Sequence, residues 1–203
     1  MLDIVTETRV FIEAALAGDP ALSRLVLTGG GTDLAAAIDP GRPPTKVGRT
    51  EYMPQAPFTR EQLVELVVRM QRSRWGRFDA YALALWPAGD DDMKRLGDYD
   101  AMRFDTFTRG CECGPGWYDL LDATLGWIAE AQPNAWWKAS QIKEKFGTLR
   151  LYYDGNPGDE GGAIIDAAEH LSGFVCDVCG APGKTGGRGW ISTRCELHNG
   201  DWR

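Results

Sequence analysis

The sequence predicts an α+β protein in three parts: a helical N-terminal region (residues 1–109), a helix–β-hairpin–helix unit (110–173) and a small C-terminal zinc ribbon (174–203). Apolar residues recur at helical spacing through much of the first half. Alternation typical of strands flanks the dipeptide Phe146-Gly147. Cysteine and histidine pairs with metal-ligand spacing lie near the end of the chain.

Three helical segments are predicted before residue 39. Residues 2–16 carry apolar side chains at helical spacing, and Gly18-Asp19-Pro20 is a natural stop. A second short helix is predicted over residues 20–27. The three glycines at 29–31 break the chain, and one or two further helical turns are predicted over residues 32–38.

A longer helix is predicted after a proline-rich loop at residues 40–58. Thr59 and Gln62 have the spacing of a capping box, in which each side chain bonds the backbone N–H of the other residue. The apolar pattern that follows predicts a helix that continues to about Ser73.

The segment between this helix and the second unit is harder to assign. Residues 78–86 fit either a strand or a buried helix, because periodicity does not decide between them. The three aspartates at 90–92 predict a solvated loop, and residues 101–108 alternate as a strand does. Residues 111–116 predict a turn.

The second unit is predicted to contain a helix, a hairpin and a second helix. The first helix opens at Trp117 and presents a broad apolar face. Strands are predicted over Gln141–Lys145 and Thr148–Tyr153, and the short turn between them makes them antiparallel. The second helix spans Ile164–Leu171 and leads to the C-terminal cysteines.

The C-terminal pairs follow a metal-binding pattern. Two residues separate Cys176 from Cys179, and Cys195 and His198 repeat that spacing after fifteen intervening residues. Thiolate and neutral imidazole suit zinc, which takes four tetrahedral ligands in structural sites. Gly180 fits a tight turn after the first pair because glycine tolerates positive φ. A glycine-rich hairpin is predicted between the two pairs.

Four protein ligands favour a structural site, because a catalytic zinc ion keeps one position open for water. Catalytic zinc is one alternative. Another is that the cysteines are free or disulfide-bonded, although a disulfide scaffold is typically shorter and richer in cysteine. Zinc is the predicted metal, and the sequence leaves iron open.

Composition excludes several classes of protein. A formal net charge of −7 disfavours non-specific nucleic-acid binding, which needs clustered lysine and arginine. No apolar run is long enough for a membrane span, and the N-terminus has no signal-peptide pattern. An odd number of cysteines, five in total, fits a reducing cytoplasm. We therefore expect a cytoplasmic protein.

A basic cluster lies at the end of the helix that begins near Thr59. Its cations are Arg69, Arg72, Arg74 and Arg77. They could form an anion or nucleic-acid site with an interleaved tryptophan as a stacking partner. The alternative, which the acidic composition favours, is that they are cations placed favourably at a helix C-terminus.

Three further groups are weaker candidates. Lys143 and Lys145 share one face of the predicted hairpin and could hold a phosphate or an acidic partner, although a solvated face is the simpler interpretation. Cys113 precedes a helix, whose N-terminus could lower the thiol pKa and make it reactive. Packing of this cysteine in a turn is the alternative. Asp119 and Asp122 share a helix face.

Four motifs occur in order between residues 110 and 198: Cys113-Gly-Pro-Gly-Trp117, Gln141-Ile-Lys-Glu-Lys-Phe-Gly147, Ala168-Glu-His-Leu-Ser172, and the two metal-ligand pairs. This half of the chain resembles a family of short uncharacterised proteins from phage, prophage and bacterial genomes. The resemblance implies a mobile-element context and no particular chemistry. Pro115 departs from the family, which tends to have an acidic residue there, and this weakens a catalytic role for the loop.

These observations predict a non-enzymatic, zinc-stabilised interaction or regulatory protein that acts on a host factor. Exposed tryptophans are its expected anchors, with Trp136, Trp137, Trp190 and Trp202 as candidates. A nucleic-acid-binding module that uses Arg69–Arg77 and the ribbon is the first alternative. A small hydrolase or thiol enzyme is the second.

Overall fold

The computed structural model describes residues 3–44, 56–79, 84–85, 88–99 and 111–202. Helices and strands both contribute, as the α+β prediction requires. The helices of this part of the chain are α1 (Ile4–Ala15), α2 (Arg60–Trp75), α3 (Asp90–Gly97), α4 (Tyr118–Ala131) and α5 (Gly158–Leu171). Short 3₁₀ turns cover Pro20–Arg24, Gly31–Asp33, Pro115–Trp117, Ser172–Phe174 and Glu196–Trp202.

The strands form small sheets that are mostly antiparallel. Their bounds are β1 (Val26–Thr28), β2 (Ala35–Ala37), β3 (Phe78–Asp79), β4 (Ala84–Leu85), β5 (Cys111–Glu112), β6 (Trp137–Lys145), β7 (Thr148–Gly155), β8 (Lys184–Gly186) and β9 (Ser192–Arg194). The predicted hairpin is confirmed as β6–β7, and the short β5 pairs with β6 in parallel. The predicted ribbon hairpin is β8–β9.

The capping box at the start of α2 is confirmed. The Thr59 hydroxyl accepts a hydrogen bond of 3.2 Å from the Gln62 N–H, and the Gln62 side chain accepts one of 2.8 Å from the Thr59 N–H. Two backbone donors of the first turn are thereby satisfied. The helix runs two residues beyond the predicted end, to Trp75.

Three predictions in the first half need correction. The helical turns predicted over 20–27 and 32–38 form only over Pro20–Arg24 and Gly31–Asp33, and residues 26–28 and 35–37 pair as an antiparallel hairpin. Gly29 and Gly31 adopt φ values of 72° and 74°, and the chain reverses at these glycines, where the sequence predicted a break. The aspartates at 90–92 form the first turn of α3, where acidic side chains complement the helix dipole.

The earlier ambiguity at residues 78–86 is resolved in favour of strands for its described ends, β3 and β4. The strand predicted over residues 101–108 lies outside the described residues, as does most of the proline-rich loop.

One buried apolar cluster joins the N-terminal region to the second unit. It includes Phe11 from α1, Leu63 from α2, Leu120 from α4 and Ile164 from α5, each with essentially no exposed surface. Ile142 adds the sheet to this core. The segments 1–109 and 110–173 therefore share a single core in the described part of the chain.

Candidate metal centre

The four predicted ligands come together in space. Cys176, Cys179, Cys195 and His198 each offer one donor atom, and all four atoms lie within 4.8 Å of one another. Two of the cysteines are buried, and the other two ligands are half-buried. The cysteines of the whole chain are free thiols, so none of these sulfurs is consumed by a disulfide.

The spacing of the donor atoms fits tetrahedral coordination. The Sγ atoms of Cys179 and Cys195 are 3.7 Å apart, and His198 Nδ1 lies 3.4 Å from Cys176 Sγ and 3.2 Å from Cys195 Sγ. Metal–sulfur bonds of about 2.3 Å and metal–nitrogen bonds of about 2.0 Å give tetrahedral edges of roughly 3.8 Å between two sulfurs and roughly 3.5 Å between sulfur and nitrogen. Soft sulfur donors with one imidazole thus form a site for a thiophilic metal.

The first ligand pair lies on a tight backbone turn. Gly180 has φ 73°, the left-handed conformation that the sequence predicted for this position. Its N–H donates a 2.8 Å hydrogen bond to the Cys176 carbonyl, and the Cys176 N–H donates one of 2.8 Å to the Ala181 carbonyl. The turn holds both sulfurs on one side of the chain.

The electrostatics of the turn favour a thiolate at Cys176. The hydrogen bond with the Cys179 thiol lowers the pKa of Cys176 to about 3, although burial acts in the opposite direction. The same interaction raises the pKa of Cys179 well above its usual range. Within this pair Cys176 therefore ionises before Cys179, and a bound metal would displace the proton that the pair retains.

Asp177 lies between these ligands without being one of them. Burial raises the pKa of its carboxyl to about 6, which Arg194 opposes across an ion pair of 2.9 Å. Its backbone carbonyl accepts a 2.9 Å hydrogen bond from the N–H of Gly116. The turn is thereby joined to the segment before α4.

That segment, Gly114-Pro115-Gly116-Trp117, packs directly against the turn that carries Cys176 and Cys179. A Cβ atom on Gly114 would lie 2.1 Å from the Asp177 carbonyl oxygen, and one on Gly116 would lie 2.0 Å from the Cys176 carbonyl oxygen. Only glycine permits backbones to approach this closely. The buried Trp117 ring donates a 2.9 Å hydrogen bond from Nε1 to the Val175 carbonyl.

The β6–β7 turn supports the ribbon hairpin from the other side. A Cβ atom on Gly147 would lie 2.7 Å from the Thr185 side chain and 3.2 Å from that of Ile191. Thr193 donates a 2.5 Å hydrogen bond from its hydroxyl to the Gly147 carbonyl. The segments 114–117 and 146–147 therefore both hold the ribbon against the rest of the protein.

The basic cluster of α2 is used inside the protein. Arg74, 6% exposed, bonds the buried Glu7 carboxylate of α1 and also donates a 2.6 Å hydrogen bond to the Cys179 carbonyl. Arg77 donates a 2.6 Å hydrogen bond to Asp119. Both guanidinium groups are thus neutralised by carboxylates of neighbouring helices.

The other two arginines of the cluster are also paired within the chain. Arg69 bonds Glu65 at 2.7 Å and Glu130 at 2.8 Å, and its guanidinium lies 5.2 Å from the Trp127 ring centre. Arg72 donates to the Leu34 carbonyl. These side chains tie α2 to neighbouring elements, and the role of Arg69, Arg72, Arg74 and Arg77 as an anion or nucleic-acid surface stays a prediction.

Lys143 and Lys145 lie on the outer face of β6, as alternation predicted. Lys143 bonds the Gln141 amide at 2.7 Å, and its ammonium lies 5.0 Å from the Tyr152 ring centre. The ammonium of Lys145 lies 5.8 Å from the Phe146 ring centre. Their role as contacts to an anionic partner stays a prediction.

Cys113 lies beside a second cysteine, and its role as a reactive thiol stays a prediction. Its sulfur lies 3.9 Å from that of Cys111, and both side chains are half-buried. The hydrogen bond with Cys111 and burial raise the pKa of Cys113 well above its usual range, whereas the same bond lowers that of Cys111. A raised pKa opposes formation of the nucleophilic thiolate.

Sequence reasoning missed Glu7 as the partner of Arg74. A signal was available, because Glu7 falls on the apolar stripe of α1 between Ile4 and Phe11, at helical spacing from both. A carboxylate on a buried face needs a cation or donors, and here Gln71 and Trp75 donate to it as well, at 3.0 and 2.8 Å.

No family model, curated protein or solved structure matches the chain. Among the helices that the structure describes, none has the length and apolar character needed to cross a bilayer. The proposed function therefore rests on the geometry of the site.

Proposed function

We propose that this chain is a non-enzymatic, zinc-stabilised interaction protein that binds another protein through an exposed face beside its metal site. The proposal includes zinc as the metal, a cytoplasmic location and a host protein as partner of a phage- or prophage-type chain. The free cysteines support a reducing compartment. The resemblance of residues 110–198 supports the mobile-element context.

Zinc is favoured by the donor set and its spacing. Three sulfurs and one imidazole at tetrahedral separations make a closed four-ligand site, which is the form that structural zinc takes. The site holds the two ends of the β8–β9 hairpin together, so the metal would stabilise the ribbon. Because the ribbon packs against residues 114–117, the metal would also stabilise the neighbouring core.

One observation carries the interaction proposal. Phe146, at the tip of β6–β7, is 68% exposed and has φ 53°, a left-handed conformation that is unfavourable for a residue with a side chain. Because the Phe146 ring is exposed to solvent and its backbone conformation is unfavourable, this residue contributes little to the stability of the fold. Such strain is characteristic of functional sites.

A second exposed aromatic side chain lies on the neighbouring ribbon. Trp190 is 77% exposed, and the adjacent Ile191 reaches the Gly147 turn. We call Lys145, Phe146, Trp190 and Ile191 the tip face. Aromatic anchors beside a lysine suit a partner with an apolar pocket and acidic rim, since complementary charge guides association.

Capture from host lysate, with three forms of the protein immobilised, tests this proposal. The wild type should retain a partner that Phe146→Ala/Trp190→Ala does not retain, because both anchors are removed. Trp136→Ala is the matched control, since Trp136 is 69% exposed but lies at the far end of the hairpin, and it should retain the partner. Equal capture by the tip-face variant and the wild type would refute the proposal.

Single-stranded nucleic acid is the second candidate for the tip face. Exposed rings beside lysines can stack bases and neutralise phosphates. Titration with DNA and RNA oligonucleotides at two salt concentrations distinguishes this candidate, because counterion release makes such binding strongest at low salt. Absence of binding at low salt would eliminate it.

A further inference from the structure

A groove with a volume of about 470 Å³ lies where β7, α5 and the ribbon strand β8 meet. Arg150 contributes from β7, His170 from α5, Phe174 from the turn after α5, and Lys184 and Thr185 from β8. None of the residues that line the groove is a metal ligand or belongs to the tip face. Its volume lies within the range of small-molecule sites.

Arg150 is the fixed cation of this groove. Its Nη1 atom donates hydrogen bonds of 2.6 Å to the Thr148 hydroxyl and to the Leu149 carbonyl, so the guanidinium has a defined orientation. Burial lowers its pKa, which means that the charged form is partly desolvated. Among the described residues no carboxylate forms an ion pair with Arg150. Glu144 acts on this charge only through space, and the remaining guanidinium donors can reach a ligand.

Lys184 of β8 is the second cation that lines the groove. It is exposed, and no carboxylate of the described residues forms an ion pair with it. Thr185 beside it donates a 2.9 Å hydrogen bond to the Gly173 carbonyl, which fixes β8 against the turn after α5. Two cations thus converge on one groove in a chain whose net charge is −7.

The remaining wall is aromatic. The ring centres of His170 and Phe174 are 5.4 Å apart in an edge-on arrangement, and His170 Nε2 lies 2.8 Å from the Ala15 carbonyl oxygen. The groove also contains a carboxylate, Glu169. Its Oε1 atom accepts a 2.8 Å hydrogen bond from the Leu151 N–H, which directs this oxygen toward the sheet.

We propose that this groove binds a small molecule that carries a phosphate monoester. Arginine offers a planar fork of donors that matches phosphate oxygens, and lysine adds a mobile point charge. The two cations would neutralise the phosphate dianion, and the aromatic wall would contact the rest of the molecule. Such a ligand site is independent of a protein partner on the tip face.

The site depends on the ribbon, because Lys184 and Thr185 belong to β8. Loss of the metal should therefore weaken binding of the phosphate ligand. By thermodynamic linkage, the bound phosphate ligand should in turn reduce the amount of metal that a chelator removes at equilibrium. This reciprocity gives a second readout besides direct binding.

Calorimetric titration of the metal-loaded full chain with adenosine 5′-monophosphate, inorganic phosphate and adenosine tests the proposal. The two phosphate-bearing probes should bind at low salt, and adenosine should not. Lys184→Met should lower the affinity for adenosine 5′-monophosphate at least about tenfold, since a charged hydrogen bond is lost. Lys94→Met removes an equal charge from exposed α3 and should leave the affinity unchanged.

Arg150→Lys provides a second variant that keeps the charge and removes the fork, and it should also weaken binding. Because Lys184 is exposed, its variant remains informative even if changes at Arg150 disturb folding. The proposal is wrong if neither phosphate probe binds, if adenosine binds as tightly as its monophosphate, or if Lys184→Met and Lys94→Met have the same effect.

Discussion

The guanidinium of Arg74 donates a 2.6 Å hydrogen bond to the backbone carbonyl of Cys179, and so connects helix α2 directly to the metal-binding turn. The same side chain is paired with Glu7 of α1, and the two side chains are 7% and 4% exposed. One buried ion pair therefore joins the N-terminal helices to a ligand that is 105 residues later in the sequence.

Replacing Arg74 with methionine should destabilise the protein by about 3 kcal/mol or more, because the Glu7 carboxylate would be left buried without its cation. The Cys179 carbonyl would lose its donor, so retention of the metal against a chelator should also fall. Urea unfolding and chelator competition measure the two effects.

Arg69→Met is the matched control for this prediction, because the partners Glu65 and Glu130 are largely exposed. Arg69→Met should lower the free energy of unfolding by about 1 kcal/mol or less. Glu7→Gln combined with Arg74→Met should recover part of the stability, since no lone charge remains. Equal losses for Arg69→Met and Arg74→Met would contradict a special role for the buried pair.

Gly116→Ala should displace the metal-binding turn. Its new methyl group would lie 2.0 Å from the Cys176 carbonyl oxygen, much closer than any Cβ contact allows. Metal content by elemental analysis should fall below that of the wild type, together with the thermal midpoint. Gly162→Ala, in α5 with nothing within 4 Å of the new atom, should keep the metal and gain about 1 kcal/mol.

How much of this site the sequence could predict depends on how local each signal is. The ligands Cys176, Cys179, Cys195 and His198, with the turn at Gly180, follow from spacing within short segments, and the structure brings them together. The capping box at Thr59 is equally local. These features need no knowledge of distant residues.

The contacts that hold the ribbon could not be predicted in the same way. That Gly116 faces Cys176, or that Gly147 faces Thr185, depends on how elements far apart in sequence pack. A glycine pattern shows that a close approach occurs but does not name the partner. The acceptors of the α2 arginines could not be named for the same reason, because Glu7, Asp119 and Glu130 lie on other helices.

Metal binding near neutral pH should release protons, and the affinity should fall as the pH falls. Cys176, with a pKa of about 3, is already a thiolate and contributes no proton. Cys179, whose pKa is raised by the hydrogen bond with Cys176, must give up its proton to become a ligand. Zinc titration in buffers with different ionisation enthalpies measures the number released.

Cys179→Ser provides the comparison, because a hydroxyl keeps its proton and is a poor ligand. The variant should lose high-affinity zinc binding and the thermal stability that accompanies it. Zinc binding without proton release in the wild type would show that the cluster is already fully ionised, and this would contradict the proposed protonation of Cys179.

Relieving the backbone strain at Phe146 should stabilise the protein while it abolishes partner binding. Asparagine tolerates φ near 53° better than phenylalanine does, so Phe146→Asn should raise the free energy of unfolding by about 1 kcal/mol. The ring is 68% exposed, and little burial is lost with it. Urea unfolding measures the gain, and lysate capture measures the loss.

Phe146→Leu separates the backbone effect from the effect of the ring. It keeps the unfavourable φ and removes the aromatic anchor, so its stability should stay near that of the wild type while capture falls. If Phe146→Asn were instead less stable than the wild type, the ring would be contributing to the fold through its contacts. The strain at this residue would then have no functional explanation, and the tip face would lose the observation on which it rests.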